Sequence, residues 1–250
     1  MKLLILAAGY ATRLYPLTET QPKPLLTVAG RPIIEAVFET LEPIGFDRAY
    51  VVSNGRFAGH FEEWAKIFRA ARPGLDLVIV NDRSTDEANK LGAIGDLHMV
   101  LTSTGLDDDL IVVAGDNLFS ERLAGFGEFC RGKQAPVLGV YDVGNLEDVK
   151  KYSAITLDGE GRISRFEEKP PAPATTLIGI ALYFYPRNTL PLIKQYVAEG
   201  NNPDQPGHLV HWLYQRTPVY AWTIPGLWYD IGSRETLDEA NRVFSRKPHR

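Results

Sequence analysis

Met1–Ile34 reads MKLLILAAGYATRLYPLTETQPKPLLTVAGRPII. The apolar run Leu3-Leu4-Ile5-Leu6 has the length of a strand buried on both faces. It breaks into the small residues Ala7-Ala8-Gly9, then a loop carrying Arg13, then Gln21-Pro22-Lys23-Pro24-Leu25. Small side chains let backbone N–H groups approach a polyphosphate, and Arg and Lys neutralise its charge. The connection from this strand to the helix expected at Pro32 exceeds twenty residues, whereas such connections commonly take about two to six. Prolines at 16, 22 and 24 stiffen it, which favours a functional loop over a merely solvated one. Two other phosphate loops fail on spelling. No Gly-x-x-x-x-Gly-Lys-Ser/Thr string follows the strand, and of Gly-x-Gly-x-x-Gly only Gly9 is present.

Working outward, apolar runs alternate with helix-spaced segments through the first half. Strands are expected at Lys2–Ala7, Arg48–Ser53, Leu75–Val80 and Leu110–Ala114, and helices at Pro32–Leu41, Phe57–Arg72 and Asn89–Thr104. Pro32 suits a first helical turn. This alternation implies a parallel sheet with right-handed crossovers, whose ligands sit beyond the carboxyl ends of the strands. Gly9–Arg13 and Gly115-Asp116-Asn117 both fall there. The second half predicts shorter strands at Pro136–Tyr141, Tyr152–Leu157, Arg162–Phe166 and Leu177–Tyr185, with a hairpin turn through Asp158-Gly159-Glu160-Gly161. Helices are expected at Arg187–Glu199, Gly207–Gln215 and Ser233–Ser245. The expectation is one domain over 1–250, with a nucleotide-binding half to about residue 135 and an acceptor-binding half over about 136–245.

Hydrophobic content of 44% and charged content of 23% are ordinary for a globular chain of 250 residues. A net charge of −4 without a long basic run argues against nucleic acid as partner. Cys130 is the only cysteine, so there is neither an internal disulfide nor a thiolate metal cluster. No apolar run reaches the ~20 residues of a spanning helix, and the N-terminal run is too short for a signal peptide. A cytoplasmic protein without membrane contact is expected, and its oligomeric state, homo-oligomer included, is left open. His208 and His211 share i,i+3 spacing but lack a third ligand, so they are read as ordinary surface or core residues. Trp212, Tyr214, Tyr220, Trp222 and Trp228 are either core or an aromatic wall.

Gly9-Tyr10-Ala11-Thr12-Arg13-Leu14-Tyr15-Pro16-Leu17-Thr18 and Pro22-Lys23-Pro24-Leu25 resemble the signature of the sugar-1-phosphate nucleotidyltransferases (NDP-sugar pyrophosphorylases). Further motifs follow in that family's order: Leu91-Gly92-Ala93-Ile94-Gly95, Gly115-Asp116, Glu167-Glu168-Lys169-Pro170 and Trp228-Tyr229-Asp230-Ile231-Gly232. The resemblance runs from Lys2 to about Val243. It implies a Rossmann-like three-layer α/β/α fold with a mixed, mainly parallel central sheet, and the catalytic domain alone, without the β-helical extension of longer relatives. Two residues depart from the pattern. Ala11 stands where the family usually has Gly, which bears on the loop conformation. Ser153, after Tyr152, stands where many relatives have Gly, which bears on the acceptor contact.

The resemblance implies catalytic roles for Arg13, on the leaving phosphates, and Lys23, on the α-phosphate. It implies nucleotide contacts from Ala7, Ala8, Gly9, Ala11, Thr12 and Gly92, with Asn89 and Glu87 nearby candidates to read the base. Acceptor contacts fall to Ser153, Glu168, Lys169 and Gly179, with Lys169 on the acceptor phosphate. Asp116 and Asp230 become ligands of Mg²⁺, an ion that commonly takes one or two carboxylates plus phosphate oxygens. Their pairing rests wholly on the resemblance, because they lie far apart in sequence. By itself Asp230 could merely close a turn, with Ser233 capping the next helix. The implied activity is Mg²⁺-dependent transfer of a nucleotidyl group from a nucleoside triphosphate to a sugar 1-phosphate, with release of pyrophosphate. Two alternatives stay open: a cytidylyltransferase for a small phosphorylated alcohol, and a non-catalytic nucleotide-binding regulatory subunit.

Overall fold

The computed structural model describes residues 1–245; the last five of the expected 1–250 domain lie outside the described residues. The chain forms two compact units that are interleaved in sequence rather than divided at one point near residue 135. One comprises Lys2–Lys90, Val113–Ala124 and the chain from Pro225 onward; the other comprises Leu91–Val112 and Gly125–Ile224, with Met1. The class is α/β with a mixed sheet.

In the first unit, strands Lys2–Leu6, Arg48–Ser53 and Asp76–Asn81 run parallel, with Leu4 opposite Tyr50 and Tyr50 opposite Val78. Leu3, Leu4 and Ile5 are fully buried, as the continuous apolar run required. Helix Ile33–Leu41 buries Ile33, Ile34, Val37, Phe38 and Leu41, and helix Ala58–Ala71 buries Phe61, Trp64, Ala65 and Phe68. Both sets keep helical spacing. The helices share an aromatic cluster, with Phe38 5.0 Å from Phe68 and Trp64 4.8 Å from Phe68 between ring centres. Pro32 is extended and caps the first of these helices from outside its first turn. It ends a two-strand hairpin, Thr27–Val28 with Arg31–Pro32, whose turn residues Ala29 and Gly30 both take positive φ. That twist matches the flanking strands. Helix Arg234–Phe244 starts with a capping box between Ser233 and Thr236. Its Asn241 accepts from the backbone N–H of Ala29 at 3.0 Å, fixing the helix to the hairpin.

The second unit is built differently. Strand Val137–Asp142 pairs antiparallel with Leu177–Tyr185 and parallel with Tyr220–Thr223. Strand Ser153–Leu157 pairs antiparallel with Leu177–Tyr185 and with Ile163–Glu168. Helices Ala93–Ser103, Leu190–Ala198 and Pro206–Tyr214 pack on one another. The first begins four residues later than its apolar spacing suggests, because Gly92 takes a left-handed φ of 78°. Helix Ala124–Lys133 is a segment that spacing alone did not predict: Gly125, Gly127 and Gly132 lower its intrinsic propensity, and burial of Phe126 and Cys130 holds it. The aromatic residues sort to packing. Trp212 lies edge-on to Tyr196, Trp222 edge-on to Phe126, and Tyr220 lies under Lys133. Among the described residues no helix is long and apolar enough to cross a membrane.

Cys130 is wholly buried, and desolvation pushes its thiol far above the ordinary range. It should therefore resist an aromatic disulfide reagent in the native protein and react stoichiometrically once the chain is unfolded in denaturant. Rapid labelling of native protein would show that this helix opens locally.

Candidate active site in the first unit

Arg13, Lys23, Asp116 and Asp230 belong to the first unit and are brought together by four local devices. Lys23 opens a single 3-10 turn, Lys23–Leu25, preceded by extended Pro22 and stiffened by Pro24. Its ammonium donates to the carbonyl of Ile231 at 2.9 Å and forms an ion pair with the Asp116 carboxylate. The two side chains are only 14% and 19% exposed, so the pair is poorly screened.

Asp116 is placed by Gly115. The Gly115 N–H donates to the Leu6 carbonyl at 2.9 Å, holding this turn to the end of the first strand. A Cβ at 115 would lie 3.1 Å from Pro24 Cγ and 3.2 Å from both Ile5 Cγ2 and the Leu6 carbonyl oxygen. A methyl there would have to push these neighbours aside by a few tenths of an ångström.

Asp230 is placed by a short antiparallel ribbon. Asn117–Phe119 pairs with Trp228–Asp230, with Asp230 opposite Asn117, and the Ile231 N–H reaches the Asp116 carbonyl at 3.3 Å. The indole N–H of Trp228 donates to Asn117 Oδ1 and locks the ribbon's register. Two carboxylates more than one hundred residues apart thereby become neighbours. Burial first, and the Asp116 charge second, raise the Asp230 pKa from 3.8 to about 6, while Lys23 and Arg13 pull it back. Arg13 lies in the 3-10 turn Thr12–Leu14. A Cβ on Gly232 would be 3.6 Å from Asp230 Oδ2 and 3.8 Å from both terminal nitrogens of Arg13, so guanidinium and carboxylate flank that bare glycine.

The first loop is held from beneath. Ala7 and Ala8 are buried and Gly9 is exposed with open space above its Cα. Asn54 Nδ2 donates to the Ala8 carbonyl at 2.9 Å. Tyr10 is buried, with its hydroxyl 3.0 Å from Ser84 Oγ, which in turn donates to Asp82. Thr18 Oγ1 donates to the Ala11 carbonyl at 2.8 Å. Ala11 adopts φ 50° and ψ 41°, the left-handed conformation that glycine would take more cheaply, and exposed Thr12 follows it. Tyr10, Thr18, Asn54 and Ser84 were not singled out in the sequence, because each acts by bracing the loop, Thr18 and Asn54 through backbone carbonyls and Tyr10 and Ser84 through side-chain bonds. Asn54, directly after a strand expected to end at the ligand edge, carried the one usable signal. Asn89 is exposed, and its amide is turned into its own loop: Oδ1 accepts from the N–H groups of Thr85 and Asp86, and Nδ2 donates to Thr85 Oγ1.

The remaining expected residues lie in the second unit. At Gly92 the space a Cβ would need is filled by Pro203 and Asp204 at 2.6 Å, so its bareness serves backbone packing there. Gly179, opposite Ser153 in the sheet, faces Leu138 and Ile155, and its bareness also serves packing. Ser153 donates to Glu168 Oε2. Lys169 has φ 44°, its N–H donates to the Tyr152 carbonyl at 3.0 Å, and its ammonium lies 3.9 Å from Glu168. Phe166, Glu168, Pro170, Pro171, His208 and His211 line a cavity of about 420 Å³. The histidine rings contact Asn202 and Gln215, and among the described residues no three His, Cys, Asp or Glu side chains gather as a metal cage.

A sheet-based scaffold presenting two neighbouring carboxylates among an arginine and a lysine, under a small-residue loop, has the donor chemistry that could hold a phosphorylated ligand with a divalent cation. The family model described as "Nucleotidyl transferase" matches residues 2–246, and the chain belongs to that family. It is 30% identical over 259 residues to a UTP–glucose-1-phosphate uridylyltransferase from Synechocystis sp., covering 99% of this chain and 64% of the relative. It is 28% identical over 252 residues to the bifunctional protein GlmU of Methanocaldococcus jannaschii, covering 99% of this chain and 55% of the relative. The chain thus spans between about half and two thirds of the length of these relatives. A solved UDP-glucose pyrophosphorylase complexed with UDP-glucose shares the fold, with a TM-score of 0.81, 22% identity and 99% coverage of both chains.

Two outcomes follow from this geometry. The ionised form of Asp230 is disfavoured in the ligand-free fold, since its folded pKa of about 6 lies above the ordinary 3.8. The native state therefore binds the extra proton between these values, and stability falls as pH rises through that window. Asp230→Asn should stabilise the ligand-free protein at pH 7.5 by roughly 1–3 kcal/mol in urea unfolding, and the gain should vanish below about pH 4. Separately, Gly115→Ala should cost roughly 1–3 kcal/mol by the same measurement, because the inserted methyl crowds the Leu6 carbonyl and the Pro24 and Ile5 side chains at once.

Proposed function

We propose that the protein catalyses Mg²⁺-dependent nucleotidyl transfer from a nucleoside triphosphate to a sugar 1-phosphate, giving a nucleotide-sugar and pyrophosphate. The observation that carries this reading is the meeting of Asp116 and Asp230 beside Lys23 and Arg13 in one unit. A loop that merely bound phosphate would not need two adjacent carboxylates, one of them disfavoured in its ionised form by desolvation and by its neighbour's charge.

The donor set fits a hard divalent cation. Desolvation and the neighbouring Asp116 charge together raise the Asp230 pKa, and the absence of a third protein ligand among the described residues leaves positions for phosphate oxygens and water. Asp116 and Asp230 would hold the ion, which supplies charge stabilisation to phosphate oxygens. An oxygen of the acceptor phosphate attacks the α-phosphorus in line, and the bond from that phosphorus to the β-phosphate oxygen breaks. No covalent nucleophile from the protein is required; its work is positioning and charge. Arg13 would hold the departing β,γ-phosphates and Lys23 the α-phosphate. The ion pair with Asp116 fixes the Lys23 ammonium in the site. Ala7, Ala8, Gly9, Ala11 and Thr12 supply the phosphate-facing loop, and Gly92 and Asn89 belong to the base side of the same reading. On the acceptor side it assigns Ser153, Glu168, Lys169 and Gly179.

The relatives' names point to the same reaction class: the Synechocystis protein is named for uridylyl transfer to glucose 1-phosphate. The experiment that tests the reading measures pyrophosphate release over a grid of nucleoside triphosphates and sugar 1-phosphates with Mg²⁺. Release with no sugar phosphate but with a small phosphorylated alcohol and CTP would instead select the cytidylyltransferase reading. Binding of nucleotide without release would mark a regulatory subunit.

Lys23→Ala should lower turnover by ~10²–10³ while weakening nucleotide binding far less, because the lost ammonium acts on charge developing at the α-phosphate. Pre-steady-state kinetics with an unchanged chemical step would remove Lys23 from that role. Asp116→Asn and Asp230→Asn should each abolish metal-dependent turnover, and the double variant should be little worse than either single one. Multiplicative defects would mean that the carboxylates act separately.

A further inference from the structure

We infer that Ser153 is a positioning residue that works through Glu168, fixing its carboxylate for the acceptor rather than touching the acceptor itself. The inference rests on the acceptor role proposed above for Glu168. Ser153 begins strand Ser153–Leu157, Glu168 ends strand Ile163–Glu168, and the two stand directly opposite in the antiparallel register. Opposite residues of such a pair project to the same face, where their side chains meet. The Ser153 hydroxyl donates to Glu168 Oε2. One position further on, the Lys169 N–H donates to the Tyr152 carbonyl at 3.0 Å, so the two strand ends are clamped by backbone as well as side chain.

A third element closes the arrangement. Gly207 lies in the first turn of helix Pro206–Tyr214, and a Cβ there would lie 3.1 Å from Phe166 Cζ, 3.2 Å from Glu168 Oε2 and 3.5 Å from Ser153 Oγ. The carboxylate oxygen is thus boxed between a hydroxyl donor and a bare glycine. Oε1 is the oxygen left on the side of the Lys169 ammonium, 3.9 Å away. Glu168 lines the cavity with Phe166, Pro170, Pro171 and two histidines, and its side chain is about one third exposed. A half-exposed glutamate without an anchor samples several rotamers, and ordering it is charged against ligand binding. An ionised carboxylate only accepts hydrogen bonds. With Oε2 occupied by Ser153, Oε1 is presented in one place to a hydroxyl of a polyol phosphate. The serine hydroxyl, with its one hydrogen bond donated to Glu168, keeps only acceptor lone pairs.

The test is a double-mutant cycle on Ser153→Ala and Glu168→Gln, in the full chain, with a sugar 1-phosphate that the wild-type protein accepts. Ser153→Ala should raise the acceptor KM about three- to tenfold, as expected for releasing one ordered side chain, with kcat and the nucleoside triphosphate KM within twofold. Ser153→Thr, which keeps the hydroxyl, should restore most of the acceptor KM. In the Glu168→Gln background, Ser153→Ala should add less than twofold. A full, multiplicative effect in that background would overturn the inference and make Ser153 a direct contact. A readout independent of turnover is the ¹³C shift of the Glu168 carboxyl carbon in labelled ligand-free protein. It should move on Ser153→Ala, and an unchanged shift overturns the inference even if the protein transfers no nucleotide. Absence of wild-type turnover with a shift that does move would overturn only the assigned reaction.

Discussion

Two carboxylates held side by side in a poorly hydrated place are the constraint around which the first unit is arranged. Their mutual repulsion and desolvation oppose folding, as the raised pKa of Asp230 records. The fold tolerates this because the surroundings are over-determined. Leu3, Leu4 and Ile5 anchor the first strand in the core. Gly115 lets the next carboxylate-bearing turn close on that strand, and the ribbon 117–119 with 228–230 fixes the second carboxylate opposite the first. Lys23 supplies the compensating charge from a turn braced by prolines on both sides. Each device is local, and each matters only because the carboxylates must meet.

The loop between the first strand and Lys23 shows how a departure in sequence is absorbed. A methyl at 11 is compatible with the left-handed backbone at a cost of about 1–2 kcal/mol. The buried hydroxyl of Thr18 on the Ala11 carbonyl and the Tyr10–Ser84–Asp82 chain supply opposing interactions. Ala11 therefore changes the energetics of the loop and leaves Arg13 flanking Gly232 with Asp230.

The parallel strands were legible because a continuous apolar run of strand length has few other uses. Arg48–Ser53 and Leu110–Ala114 coincide with their expected bounds. What stayed hidden depends on partners distant in sequence. Helix Ala124–Lys133 carries three glycines and is held by burial. Strand Tyr220–Thr223 is defined by pairing with Val137–Asp142, and the ribbon at Trp228–Asp230 by pairing with Asn117–Phe119. For the same reason no spacing rule could have joined Asp116 to Asp230; the resemblance supplied the pairing, and the ribbon supplies its physical cause. Gly92 and Gly179 show the converse. The resemblance marked both as ligand-side glycines, and the fold adds that a Cβ at either would meet protein atoms.

Backbone strain gives a second, independent view of where the chain spends stability. Among the described residues five non-glycine positions have positive φ: Ala11, Ala29, Arg83, Gln134 and Lys169. Ala29 is accounted for by a tight hairpin turn and Gln134 by the end of a helix, both places where such backbone is common, and Arg83 by an Asn81-centred turn whose Oδ1 accepts from the Arg83 N–H. Ala11 and Lys169 have no such structural excuse. One sits two residues before Arg13, and the other is itself a proposed phosphate cation. Ala11 is restrained through its carbonyl, which accepts from Thr18 Oγ1 and from the Leu14 N–H, and Lys169 by its N–H to the Tyr152 carbonyl. Strained residues persist only where the surroundings over-determine them, and they concentrate where a side chain must be aimed before its ligand arrives. In a reaction that uses no covalent nucleophile, aiming fixed charge is the protein's main contribution, and both strained sites fall beside a charge that would have to be aimed.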